Sequence, residues 1–162
     1  MHRKTKDNLT VTVDSEEETV DMAVRLAVQL RPGDVLCLRG DLGAGKTTFT
    51  RALVAALGSP ASVSSPTFAL VHEYKGGRLP IWHVDAYRLQ SADDTADIGL
   101  DEVFLTGEGL VVIEWPERIE AALPDDHLDI AIRDTGGDTR EITLIPHGPR
   151  WADFSENWPV KC

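Results

Sequence analysis

The sequence predicts an α/β fold: a mixed, mostly parallel central sheet with flanking helices and β-hairpins. Three observations carry this. Strand-like apolar runs alternate with helix-periodic segments in the first half of the chain. Two glycine pairs, Gly76-Gly77 and Gly136-Gly137, separate strand-like runs in the second half, which is a hairpin signal. No internal repeat or low-complexity tract competes with that reading. Strands that alternate with helices lie parallel, whereas hairpins add antiparallel pairs. The 162 residues amount to about one domain, a size that buries roughly two-thirds of the unfolded surface.

The elements follow in order. Residues 1–8 are polar and read as a flexible N-terminal segment, 9–145 as the folded domain, and 146–162 as a C-terminal tail that is packed on the domain or flexible. Leu9 to Val13 alternates apolar residues with Thr, a strand pattern. Ser15 with Glu18 three residues later is a capping box and starts a helix. Val20, Ala23, Val24, Ala27 and Leu30 give this helix its apolar stripe, and Pro32-Gly33 stops it. Val35 to Leu38 is a buried strand, and Lys46 to Leu57 a helix closed by Gly58 and Pro60. Phe68 to Tyr74 and Leu79 to Ala86 are strands, with Pro80 at an edge or a strand start. Residues 91–108 read as a loop with a short helix around Asp101 to Leu105. Gly109 to Ile113 is a buried strand, and Pro116 to Ala122 a short helix with Pro at its start. Leu128 to Arg133 and Arg140 to Ile145 form the last hairpin.

Charge excludes several functions. The chain has 16 Lys plus Arg against 27 Asp plus Glu, a formal net charge of −11. Proteins that coat nucleic acid, or dock on anionic membranes, rely on excess Lys and Arg. Residues 91–129 alone hold twelve acidic side chains and one basic one, Arg118, so the remainder is neutral. This segment reads as a solvated acidic face, or as one that meets a basic partner. Two cysteines do not make a disulfide scaffold, and Cys37 reads as a buried thiol. No apolar run approaches a membrane span, and Met1 to Thr10 lacks a secretory apolar stretch. A cytoplasmic protein without membrane contact is expected.

One segment carries chemistry. Gly40-Asp41-Leu42-Gly43-Ala44-Gly45-Lys46-Thr47 matches the phosphate-binding pattern G-x-x-x-x-G-K-T in full. Glycines let successive amide N–H groups turn inward into an anion nest. The helix that follows offers its positive end to a phosphate. Lys46 reaches the β- and γ-phosphates, and the Thr47 hydroxyl serves Mg²⁺. A strand before the motif and a helix after it make this a P-loop NTPase fold.

Mg²⁺ needs a second protein anchor, and Leu110-Val-Val-Ile-Glu114 places an acid after four apolar residues. Glu114 is the candidate, directly or through a water. Asp85 ends the strand in His83-Val-Asp85-Ala-Tyr87-Arg88, where it suits either water activation or capping of a turn. Thr67, in Ser64-Ser65-Pro66-Thr67, has a hydroxyl suited to sensing a γ-phosphate, though such residues are also common in loops. The five histidines show no metal-ligand spacing and read as solvent-exposed or structural. The tail aromatics Trp151, Phe154 and Trp158 pack on the domain or stack on a base. The six arginines after Arg51 do not cluster in sequence as a kinase lid would require, and no Asn-Lys-x-Asp guanine-reading motif is present. ATP is therefore favoured. A small-molecule kinase and a non-enzymatic nucleotide-dependent binding module remain alternatives.

Four motifs in this order resemble the TsaE (YjeE) family: Asp41 to Thr48, Ser65-Pro-Thr-Phe68, His83-Val-Asp-Ala-Tyr-Arg88 and Ile113-Glu-Trp-Pro116. Ile98-Gly-Leu-Asp-Glu-Val-Phe104 is similar to the family's segment between the third and fourth motifs, and the likeness covers about residues 9–145. The resemblance implies an ATPase of bacterial tRNA N6-threonylcarbamoyladenosine (t6A) biosynthesis. Its activity is weak alone and is stimulated by the TsaB and TsaD subunits of the threonylcarbamoyl transferase, which it resets between turnovers. Contact with tRNA is then indirect, and the chain alone is expected to be a monomer. By the same resemblance, Asp41 to Thr48 hold ATP or ADP, with Thr48 beside Thr47. Thr67 lies in a switch-like loop, Lys46 and Asp85 act on the γ-phosphate and the water, Thr47 and Glu114 hold Mg²⁺, and Trp115 shapes the site or meets a partner. The basic start (Arg3, Lys4, Lys6) and the tail after Ile145 depart from the family pattern.

Overall fold

The computed structural model describes residues 8–40, 45–63, 70–156 and 158. Seven strands form one sheet in the order β1-β7-β6-β2-β5-β4-β3. They are β1 (Leu9–Val13), β2 (Val35–Arg39), β3 (Val71–Tyr74), β4 (Ile81–Asp85), β5 (Leu110–Glu114), β6 (His127–Gly136) and β7 (Thr139–His147). The helices are α1 (Glu16–Gln29), α2 (Lys46–Ala56) and α3 (Leu100–Thr106). The four central strands, β6, β2, β5 and β4, run parallel, and β7, β1 and β3 add antiparallel pairs at the two sides.

The central strands are apolar on both faces because both faces are covered. On one, Leu36, Leu38, Val112 and Ile130 pack against Met22 and Leu26 of α1 and Phe49 and Leu53 of α2. On the other, Cys37, Val111 and Ile113 pack against Leu100 and against Ile119 of the 3₁₀ segment Pro116–Ala122. Period-two alternation therefore sends Glu114 to the face of α1 and α2, because its register partner Leu38 lies there.

Ser15 caps α1 as expected: its Oγ accepts the Glu18 N–H at 3.2 Å. The return bond of the capping box falls one residue early, from Asp14 N–H to Glu18 Oε1 at 2.6 Å. Pro80 directly precedes β4, an interior strand, so the strand-start reading holds and the edge reading does not. The Gly76-Gly77 hairpin presses on the end of α2. A Cβ on Gly77 would lie 2.6 Å from the Leu57 carbonyl oxygen, so a bare backbone is required there. Residues 92–98 form a 3₁₀ segment that the sequence reading leaves as loop, since its composition has no helical apolar stripe.

Residues 146–156 are built into the molecule. β7 continues to His147, and Trp151 and Phe154 are buried in the core. Arg150 holds buried Asp34 in a fork, Nε to Oδ1 at 2.7 Å and Nη2 to Oδ2 at 2.8 Å, and also donates to the Gln29 carbonyl. Among the described residues, no helix is long and apolar enough to cross a membrane.

Candidate functional site

The site is assembled at the carboxyl ends of β2, β5 and β4. β2 ends at Arg39 and is followed by Gly40, and the chain re-enters described structure at Gly45 as the N-cap of α2. Gly45 sits at φ +110°, a left-handed conformation that disfavours any side chain. It carries no side-chain cap, so the first amides of an eleven-residue helix have no capping side chain. Asp41, Leu42, Gly43, Ala44 and Thr67 lie outside the described residues.

Lys46 is 6% exposed, an unusual place for an ammonium. Its Nζ donates to the Gly40 carbonyl at 2.8 Å and stands 4.4 Å from the centre of the Trp115 ring. Among the described residues no carboxylate pairs with it. A buried cation held by a carbonyl and an aromatic face keeps its charge available to an anionic ligand. Thr47 and Thr48, in the first turn of α2, are partly exposed.

Glu114 ends β5, the neighbour of β2, and is 5% exposed. Its Oε2 accepts a 2.6 Å hydrogen bond from His83 Nε2, and His83 Nδ1 meets the Tyr74 hydroxyl at 3.0 Å. Asp85 ends β4 directly opposite Glu114 in the parallel register. Its Oδ1 accepts the Tyr87 N–H at 2.9 Å, so this side chain does cap a turn. That occupies one carboxylate oxygen and leaves Oδ2 for other work. The strand ends are fastened together by the Ala86 N–H to the Glu114 carbonyl at 3.0 Å. Trp115 is the only non-glycine residue with positive φ among those described, at 59°. This turn aims its ring toward Lys46, with Tyr87 packed on it at 5.0 Å between centroids.

These groups fit a Mg²⁺–nucleotide. A capless helix start and a buried ammonium suit phosphates, while a buried carboxylate with one oxygen already held suits a hard cation. The structure thus gathers Gly45, Lys46, Thr47, Thr48, Asp85, Glu114 and Trp115 at one end of the sheet.

Three features escape a sequence reading. First, a cleft beside Gly45 and Thr48 is lined by Ser15 and Thr19 from α1 and by Ile132, Asp138 and Arg140 from the β6–β7 hairpin. The arginines that look scattered in sequence include one at the site. Second, His83 takes the structural of its two readings, but its contact with Glu114 has no sequence signal. Third, Cys37 and Asp129 pair across β2 and β6, with His127 close enough that the three could share an ion. There Arg39 donates to Asp129 Oδ1 at 2.9 Å and also pairs with Glu120, so the aspartate is already neutralised. The Cys37 thiol is pushed far up by burial, then by Asp129, so it stays protonated.

Against known proteins, the family model for threonylcarbamoyl adenosine biosynthesis protein TsaE matches residues 13–142. The chain belongs to the TsaE family. The Bacillus subtilis tRNA threonylcarbamoyladenosine biosynthesis protein TsaE is 47% identical over 140 residues, covering 86% of this chain and 87% of that protein. The Streptomyces coelicolor protein of the same name is 43% identical, covering 82% and 93%. A crystal structure of Bacillus subtilis YdiB superposes with a TM-score of 0.80 at 40% identity and covers 93% of each chain. Within the TsaE family, the present chain thus has the P-loop architecture that its Gly40–Thr47 motif predicts.

Proposed function

We propose that this protein is a Mg²⁺-dependent ATPase of t6A biosynthesis that binds and resets the TsaB–TsaD threonylcarbamoyl transferase and leaves the transfer, and the tRNA, to that complex. The observation that carries the reading is the buried Lys46 ammonium at the uncapped start of α2, with Glu114 ending the adjacent strand. The pathway comes from relatives named for t6A biosynthesis over most of their length.

The α2 amides and Lys46 bind the phosphates of ATP. The nucleoside lies toward the cleft of Ser15, Thr48 and Arg140, the open space next to the helix start. Thr47 and Glu114 hold Mg²⁺, which when bound neutralises charge on the β- and γ-oxygens. Asp85 orients the attacking water through Oδ2 and takes its proton, held in place by the bond from Tyr87 to Oδ1. The Trp115 ring keeps Lys46 in line and limits water around it. Thr67, in the Ser64-Ser65-Pro66-Thr67 motif, offers its hydroxyl to the γ-phosphate. Hydrolysis is slow without the transferase and faster with it.

The test is equilibrium binding of a fluorescent ADP with and without Mg²⁺. Binding that strengthens with Mg²⁺ and weakens at least tenfold in Lys46→Ala is expected. Equal binding by the variant would overturn the reading.

A further inference from the structure

We infer that His83, braced by Tyr74, is a positioning residue that fixes the Glu114 carboxylate for its cation. This rests on the reading of Glu114 as the protein's carboxylate for Mg²⁺.

The geometry is a three-member chain inside the sheet. Tyr74 ends β3, His83 is central in β4 and Glu114 ends β5, so three successive strands contribute one side chain each. His83 pairs in register with Val112, two residues before Glu114, which puts both polar groups on the face of α1 and α2. Tyr74 is 4% exposed and His83 0%. As a cation ligand Glu114 is ionised and only accepts, so the 2.6 Å bond then takes its proton from His83 Nε2. Nδ1 is then the acceptor, and the Tyr74 hydroxyl donates to it at 3.0 Å. Both ring nitrogens are thus engaged, and the ring has a single orientation.

A buried carboxylate needs hydrogen-bond partners, and His83 supplies one to Glu114. Here the acid ends β5 beside β2, the strand that leads into Gly40. Holding Oε2 fixes the Glu114 rotamer and commits Oε1 to a cation or its water. Outer partners of this kind set metal affinity by about 10- to 100-fold. The family's third motif thus contains a residue that acts through Glu114, as well as Asp85. His83 is fully buried, so it is a positioning residue and not a catalytic one.

The experiment is a Mn²⁺ titration of the ADP-bound full chain, read by loss of the free-ion electron paramagnetic resonance signal. ADP affinity is measured in parallel with the metal chelated. His83→Phe should weaken Mn²⁺ binding roughly tenfold and leave chelated ADP binding unchanged. His83→Gln, which keeps a donor, should recover most of the loss. Tyr74→Phe removes one oxygen and should weaken Mn²⁺ about threefold, a fraction of the full loss. Unchanged Mn²⁺ affinity in folded His83→Phe overturns the inference while leaving the ATPase reading intact. If near-ultraviolet circular dichroism shows that His83→Phe does not fold, Tyr74→Phe decides on the same terms. No Mn²⁺ binding by the unaltered protein with ADP overturns both.

Discussion

At the residue scale, the proposed reading gives Lys46, Asp85 and Glu114 each a task that no other described side chain at the site repeats. Asp85→Asn keeps the acceptor for the Tyr87 N–H, so the turn survives, but the proton-accepting carboxylate is lost. Nucleotide binding should be unchanged and partner-stimulated phosphate release should fall about 10²- to 10⁴-fold, the usual worth of a general base. Loss of binding instead would give Asp85 a structural role only. Cys37 offers a control. Its thiol is held protonated by burial, so it should resist alkylation in the native protein and react once the chain is unfolded. Rapid native labelling would contradict the packing of that face.

Residue-level legibility was uneven for a physical reason. The places of Lys46 and Thr47 at the start of α2 and of Glu114 at the end of β5 were readable because each follows locally from a loop or strand pattern. The placements of His83 and Arg140 were not, because each depends on strand register across the sheet. His83 finds Glu114 through β4–β5 pairing, and Arg140 reaches the Thr48 cleft only because the β6–β7 hairpin stands beside α1.

At the element scale, two connections hold the site in shape. The hairpin between β3 and β4 depends on Gly77 passing under the Leu57 carbonyl. Gly77→Ala forces that backbone apart and should cost roughly 2 kcal/mol of stability, measured by urea unfolding. The C-terminal segment depends on the Arg150–Asp34 fork. Arg150→Ala leaves the buried Asp34 carboxylate without its cation, held only by the Arg31 N–H among the described residues, and should cost about 3 kcal/mol. A loss below a few tenths of a kcal/mol would mean that water reaches Asp34. The hairpins were legible from Gly76-Gly77 and Gly136-Gly137, and α1 from Ser15 and Glu18. The 3₁₀ segment at 92–98 was not, since its polar residues are held by local bonds such as Thr95 Oγ1 to Asp101, which leave no period in the sequence.

At the scale of the whole molecule, the acidic window is less uniform than composition suggests. Glu114 and Asp129 are buried, Glu120 pairs with Arg39, and Asp94 accepts the Gln90 N–H. Asp93 and Asp97 remain exposed and free to meet a basic partner. Reversing these two, rather than Asp94, tests steering without disturbing the fold. Association with the transferase should slow, and its salt dependence should flatten, in Asp93→Lys/Asp97→Lys. An unchanged rate at every ionic strength would leave this face with solubility alone. The strand order also explains why a P-loop fold was predictable here before any contact was known. The parallel core follows from a strand, loop and helix in sequence, while the antiparallel margins follow from glycine turns.

The central claim is that the groups gathered around Lys46 and Glu114 hydrolyse ATP on behalf of a partner. Phosphate release with and without TsaB and TsaD tests it most directly. Slow release alone, clear acceleration by the two subunits, and loss of that acceleration in Lys46→Ala are predicted. Release that is unaffected by Lys46→Ala, or absent under all conditions despite tight nucleotide binding, would contradict it.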